Sequence, residues 1–211
     1  MLLPWRIRRL ILQQCYGYQI APTATIGFSW IRPTRLIMEE NTYIGHFTVC
    51  TGLALLELKA GSHIGNSNRI FGPRLDSTSF YGHRNRYPAL RLGTYAAITH
   101  SHILDCTDTI LIGSRTTVAG YGAQLLTHSV DLHNSRQDCE PITLGKSCFI
   151  GTSSVLLKGV TFPDRSVLAA GSVLTKSAIC ESGVYSGVPA SKVNDGEGYA
   201  AWFDRITSAG E

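Results

Sequence analysis

From Leu144 onward, an apolar residue stands at every sixth position: Leu144, Ile150, Leu156, Phe162, Leu168 and Leu174. Small residues follow directly at Gly145, Gly151 and Ala169, and recur four places on at Cys148, Ser154, Ser166 and Ser172. The same phrase occurs earlier in shorter runs: Ile20 and Ile26; Ile44 and Cys50; Leu58, Ile64 and Ile70; Leu92, Ile98 and Leu104; Ile112 and Val118. A period of six is neither the 3.6 of a helix nor the alternation of a two-sided strand. It predicts a coil with flat six-residue faces, each turning one aliphatic side chain inward, with the small residue letting the backbone turn the corner. Three faces close one coil, and coils stacked about 4.8 Å apart satisfy each other's backbone groups. A sandwich of Gly-rich hairpins would show period two instead, and 144–174 does not.

Breaks in phase place insertions near 71–91 and 121–143, within coils spanning 20–178. Residues 1–19 hold a short helix over 4–16, with Trp5, Ile7, Leu10, Ile11 and Cys15 and a basic side. It reads as a cap on the open edge of the first coil, or as an interfacial helix on anionic lipid. Residues 179–211 lose the period and form a C-terminal arm. The 211 residues include 21 Gly and are 44% hydrophobic but only 16% charged. That is below the usual ~25% charged, and it suits a turn-rich β protein rather than a disordered chain. No apolar run approaches the roughly 20 residues of a membrane-crossing helix. The net charge of +4 is scattered, and its densest cluster (Arg6, Arg8, Arg9) has no aromatic ladder, so nucleic-acid binding is not expected. Six cysteines without a Cys-x-x-Cys pair, and a start without a cleavage signal, point to reduced thiols in the cytoplasm.

The stretch PITLGKSCFIGTSSVLLKGVTFPDRSVLAAGSVLTK, followed by GVYSGVPASKV, resembles the C-terminal half of hexapeptide-repeat acyltransferases. The resemblance is to galactoside, maltose and nodulation-factor O-acetyltransferases and to O-acyltransferases of polysaccharide biosynthesis. It covers about 20–193, strongly over 141–193 and weakly over 30–90. It implies an all-β fold, a left-handed parallel β-helix. It also implies a homotrimer with active sites between subunits, acetyl-CoA as co-substrate and no metal. Handedness comes from the resemblance alone, since parallel crossovers are normally right-handed.

The polar interruption LLTHSVDLHNSRQDCEP presents His128 as the catalytic candidate, on a loop leaving a rigid scaffold. In the resembled family a histidine shortly before the P-[IV]-x-[IL]-G coil is the general base. An imidazole with a pKa near 6.5 takes the proton of a hydroxyl as its oxygen attacks a thioester, and backbone N–H groups stabilise the oxyanion. Asp131, Glu140, Asp105 or a backbone carbonyl would hold the other ring nitrogen. The resemblance assigns acyl-CoA contacts to Thr152, Ala169, Ala170, Gly171, Ser172, Thr175, Lys176 and Pro189, with the lysine on phosphate. Phe149 stands where relatives often carry Trp, which keeps an aromatic ring and loses the indole N–H.

For the acceptor, a sugar or glycan hydroxyl, His100, His102 and Asp105 are candidates, with His100 nearest the family's position. The insertion adds Arg74, Asp76, Tyr81, His83, Arg84, Asn85 and Arg86 as sugar or trimer contacts, Asn85 being the amide suited to a sugar. Two other readings use the same scaffold. One is a γ-carbonic-anhydrase-like zinc hydratase with His128, His133 and His100 or His102 as ligands. The other is a trimeric module without chemistry.

Overall fold

A computed structural model describes residues 3–75, 85–175 and 181–205. The chain winds through three parallel sheets in strict rotation. The first face holds Gln19–Ile20, Arg35–Met38, Leu55–Leu58, Ala89–Leu92, Ile110–Ile112, Ile142–Leu144 and Thr161–Phe162. The second holds Thr25–Ile26, Tyr43–Ile44, His63–Ile64, Ala97–His100, Thr117–Tyr121, Phe149–Ile150 and Val167–Leu168, and is extended by the antiparallel pair Val184–Gly187 and Ala190–Asn194. The third holds Trp30–Arg32, Val49–Thr51, Arg69–Phe71, Ile103–Asp105, Gln124–Leu126, Val155–Leu157 and Val173–Leu174. Together they form a left-handed parallel β-helix.

Register explains the six-residue rhythm. On the first face Ile20 pairs with Met38, Met38 with Leu58, and Leu58, Leu92, Ile112, Leu144 and Phe162 follow in one column. Ile26, Ile44, Ile64, Ile98, Val118, Ile150 and Leu168 form the second column, and Ile31, Cys50, Ile70, Leu104, Leu125, Leu156 and Leu174 the third. All are buried. A slip of one residue would turn a whole column to solvent, so the pattern fixes the winding.

The corners turn differently from expectation. At the first-to-second corner the left-handed residues are Asn41, Gly61, Tyr95, Arg115, Ser147 and Arg165, so most are not glycine. Each of the last five donates its N–H to the carbonyl of the residue just before this position in the preceding coil, as in Arg165 to Lys146 at 2.8 Å. The glycines that follow the aliphatic residue are instead needed for clearance. A Cβ on Gly113 would lie 2.3 Å from the Gly145 carbonyl oxygen, and one on Gly151 2.5 Å from the Ala170 nitrogen. These glycines allow close stacking of coils; they do not supply the turn.

Inside the second-to-third corner runs a polar ladder. Thr48 N–H donates to Ser29 Oγ, Asn68 N–H to Thr48 Oγ1, His102 N–H to Asn68 Oδ1 and Ala123 N–H to His102 Nδ1, at 2.9–3.1 Å. Each buried side chain satisfies the next coil's amide, which would otherwise be orphaned.

The insertions are also refined. Leu125 lies in the core, and part of 121–143 forms an antiparallel hairpin, His128–Asp131 with Arg136–Cys139, rather than an irregular loop. The helix Trp5–Tyr16 sits on the open N-terminal edge, and Phe149 packs edge-on against Trp202 of the C-terminal arm with centroids 5.2 Å apart. Gly113→Ala is expected to destabilise the fold by about 1–3 kcal/mol, since backbone must shift to admit the methyl. Gly198→Ala, whose Cβ meets nothing within 4 Å, is expected to be nearly neutral. Thermal melts of the two variants check this.

Candidate active site

Two edges of the prism carry the candidate residues. At the third-to-first edge, Asp105 ends a third-face strand, and His128 opens the hairpin that leaves the next coil at the same edge. The Asp105 carboxylate is nearly sealed from solvent, whereas the His128 side chain is about one-third exposed (35%). One oxygen of Asp105 accepts the Thr107 amide at 3.0 Å and the Thr107 hydroxyl at 2.7 Å; the other pairs with His128 Nδ1. Thr127 anchors its neighbour in turn, donating its hydroxyl to the Asp105 carbonyl at 2.7 Å and accepting the Asp108 amide at 2.9 Å. Of the four orienting groups open in the sequence, Asp105 is therefore the one in place. Asp131 is spent on the hairpin turn, where it accepts from His133 and Asn134.

The carboxylate holds the His128 pKa above the ordinary imidazole value, against an opposing effect of partial burial. Nδ1 is the nitrogen Asp105 engages, and in an imidazole held this way Nε2 is the atom that can exchange a proton with a reactant. Such a pair, a base positioned by a buried and hydrogen-bonded carboxylate, is the arrangement that activates a hydroxyl.

The base of the 71–91 insertion leaves the same edge. Arg86 is buried there and donates to the carbonyls of Pro73 at 2.8 Å, Thr107 at 3.3 Å and Arg74 at 2.6 Å. Asn85, exposed beside it, thus stands on the segment nearest the dyad's coil. Asp76, Tyr81, His83 and Arg84 lie outside the described residues, as does Lys176.

The second-to-third edge carries the residues assigned to acyl-CoA. Ala170 and Gly171 form an exposed corner, and a Cβ on Gly171 would meet nothing within 4 Å. Thr152 sits on the same corner one coil earlier and accepts the Gly171 amide on its carbonyl at 2.9 Å. Ser172 accepts the Gly187 amide at 3.2 Å, and Ala169 donates to the Tyr185 carbonyl at 2.9 Å. The turn bearing exposed Pro189 is thereby fixed beside the AAGS corner. Thr175 follows on the same coil. Small residues, an open corner and a neighbouring turn fit a narrow ligand lying against backbone.

His100 and His102 depart from expectation. His102 is fully buried, with Nδ1 accepting from Ala123 and Nε2 3.0 Å from Thr99 Oγ1. Burial and the nearby His100 depress its pKa to about 4. It is a rung of the corner ladder, enclosed within the coils. His100 is exposed, but on the second-to-third edge, where its Nδ1 accepts the Asn66 amide at 2.9 Å. It therefore does not join Asp105 and His128. Within one chain His100 and His102 do not converge with His128, and among the described residues no three His, Cys, Asp or Glu side chains are grouped so as to hold a metal ion.

Within one chain the dyad and the AAGS corner are a full face apart, about 20 Å for six extended residues. Sequence reasoning missed the residues that build the dyad's support, Thr107 and Thr127. Their signal, one threonine between Asp105 and Asp108 and another beside His128 in the next coil, becomes readable only once the coils are stacked.

The hexapeptide repeat of succinyl-transferase matches residues 141–176. Galactoside O-acetyltransferase of Escherichia coli (strain K12) is 33% identical over 116 residues, 53% of this chain and 52% of that protein. The match thus spans about half the length of that curated relative. Among solved structures, a hexapeptide-repeat-containing acetyltransferase of Vibrio cholerae O1 biovar eltor, complexed with acetyl coenzyme A, is similar with a TM-score of 0.50 at 24% identity, covering 64% of this chain and 68% of that one. A mutant of the Bacillus cereus N-acyltransferase AntD, in complex with dTDP-4-amino-4,6-dideoxyglucose and coenzyme A, is similar with a TM-score of 0.55 at 14% identity, covering 90% and 87%. These structures share the fold.

Asp105→Asn removes the charge that raises the His128 pKa. The imidazole titration, followed by NMR, is expected to move down towards or below 6.5. The ion pair's stabilisation is fully present below the unfolded histidine pKa near 6.5 and fades as pH rises through the higher folded value. The stability gap between the wild type and Asp105→Asn is therefore expected to be wider at pH 5.5 than at pH 9, as read by urea melts at the two pH values.

Proposed function

We propose that this hexapeptide-repeat chain is an acetyl-CoA-dependent O-acetyltransferase that modifies a sugar hydroxyl in glycan biosynthesis. The observation that carries the reading is the His128–Asp105 pair on an accessible edge. The likeness to galactoside O-acetyltransferase and to an acetyltransferase complexed with acetyl coenzyme A supports the choice of donor.

Transfer is direct. The acceptor hydroxyl gives its proton to His128 Nε2 while its oxygen forms a bond to the thioester carbonyl carbon. The carbonyl electrons move to oxygen, where backbone N–H donors of a neighbouring coil stabilise the charge. Collapse breaks the C–S bond, and the coenzyme A thiolate takes the proton from the imidazolium. Asp105 holds the ring and offsets the charge that appears on it. No acyl-enzyme forms, so protein incubated with labelled acetyl-CoA alone is expected to carry no stable label.

The separation of the two edges asks for a second copy. In a homotrimer, the dyad edge of one copy faces the Thr152, Ala170 and Gly171 edge of the next, and each site takes parts from both. Pantetheine amides lie along the corner, the adenine end reaches the Pro189 turn, and Thr175 and Lys176 meet the nucleotide. The acceptor enters past Asn85. Burial pushes the thiols of Cys50 and Cys148 up to about 12 and about 11, which keeps them protonated and apart from the transfer. Among the described residues no helix is long and apolar enough to cross a membrane.

His128→Ala is expected to lower kcat by at least about 10² with the fold intact, measured by release of coenzyme A against a panel of free, nucleotide-linked and lipid-linked sugars. Unchanged turnover removes the base assignment. Mixing denatured His128→Ala with denatured Gly171→Trp and refolding them together is expected to restore activity that neither shows alone. Absence of complementation removes the shared-site arrangement.

A further inference from the structure

The N-terminal helix is inverted relative to an ordinary amphipathic helix. Coils donate their amides towards the C-terminal end, as in Thr25 to Thr42 and Gly27 to Ile44, so the first coil turns its own carbonyls outward without a coil to receive. The helix meets them with its polar side. Trp5 Nε1 donates to Ala24, Arg8 to Ile26 and Gly27, Arg9 to Pro22 and Gln13 to Ile20, all at 2.7–3.1 Å. Arg8 is further held over the rings of Trp5 and Phe28.

The inward side also packs Trp5 and Leu12 on the core, and a second apolar stripe is left facing out. Ile7, Leu10 and Ile11 fall within an arc of about 100° at 100° per residue. They are 46%, 55% and 41% exposed, and Leu3, just before the helix, is 48% exposed. The helix carries three arginines and no acidic residue, and Arg6 lies exposed at the edge of the stripe. Beside it a groove lined by Ile11, Tyr16, Trp30 and Arg32 opens to the same end of the prism. Trp30 and Tyr16 are 52% and 43% exposed, with the Arg32 guanidinium over both rings. An aliphatic stripe rimmed by Trp, Tyr and Arg matches the layering of a bilayer interface, where aromatic rings sit at headgroup depth and cations meet anionic lipid.

We propose that the end of the prism formed by the helix Trp5–Tyr16 and the Trp30–Arg32 strand docks on an anionic lipid surface, with Ile7, Leu10 and Ile11 entering the acyl boundary and Arg6 and Arg32 meeting headgroups. The occupant is a membrane rather than a protein groove because the stripe is convex and its flanking charge is of one sign. The surface lies at the end of the coil stack, away from the lateral edges that carry the dyad and the AAGS corner. It places the enzyme where a lipid-linked acceptor is presented.

The test is co-sedimentation of the full chain with vesicles of phosphatidylcholine alone, or with about 30 mol% phosphatidylglycerol to set an anionic surface potential. Neither acetyl-CoA nor acceptor is present, so the result is independent of the transferase reading. Binding to the anionic vesicles, weakened by added salt, is expected. Leu10→Glu/Ile11→Glu is expected to reduce it at least about tenfold, and Arg6→Glu at least about fivefold, given roughly 1 kcal/mol per cation near such a surface. Val193→Glu, an exposed apolar residue on the C-terminal arm, is expected to leave it unchanged. No binding to anionic vesicles, or equal loss in Val193→Glu, overturns the proposal. So does a change of oligomeric state in Leu10→Glu/Ile11→Glu by analytical ultracentrifugation, which would assign the stripe to a second copy.

Discussion

The structure depends on coil-on-coil registry: each backbone amide of one coil finds a carbonyl directly above it, at strand spacing. That single requirement selects what each position tolerates. Between stacked corners there is no room for a Cβ at Gly113 or Gly151, and inward positions must be apolar because seven of them pile into one column. Where the chain cannot lend a backbone partner, a side chain substitutes, as in the Ser29–Thr48–Asn68–His102 ladder. The same requirement leaves the first coil's carbonyls open, and so decides that the N-terminal helix turns Arg8 and Gln13 inward beside Leu12, and Ile7, Leu10 and Ile11 outward.

Stacking also sorts the chemistry by edge. Residues at equal phase in different coils become neighbours however far apart they are in sequence. Asp105 and His128, 23 residues apart, meet because one ends a third-face strand and the other follows the end of the next. Arg86 reaches that edge from a coil earlier and secures the base of an insertion against Thr107. Thr152, Ala170 and the Pro189 turn collect on a different edge by the same rule. A rigid prism keeps these edges one face apart, which is why the proposed transfer draws the donor ligand from a second prism rather than from bending one.

Several residues gained a different meaning once placed. His102, a polar residue in a histidine-rich segment, looks like a ligand contact in one dimension. Its burial makes it a neutral acceptor for a backbone amide, with its pKa depressed to about 4. The small residues after each aliphatic look like turn formers, yet the left-handed positions include Phe47, Tyr95 and Arg165. Phe149 is read as an aromatic without an indole, yet an indole stands edge-on against it, supplied by Trp202 of the C-terminal arm.

The one-dimensional order of residues determined the winding itself. A six-residue aliphatic period admits one register, so most of the inward columns from Ile20 to Leu174 were legible, as was the exit of His128 from the coils; Ile31, Met38 and Leu125, which stand next to breaks in phase, were not. The partner of His128 was not legible, because Asp131 and Glu140 are closer along the chain and nothing local ranks Asp105 above them. Proximity across coils is set by phase, and phase is known only after every insertion has been assigned to a corner. Nor was the outward face of the N-terminal helix readable, since its pattern of Ile, Leu and Arg is the same whichever side meets the prism. Only the row of carbonyls on the first coil, a property of stacked backbone, decided which way it turned.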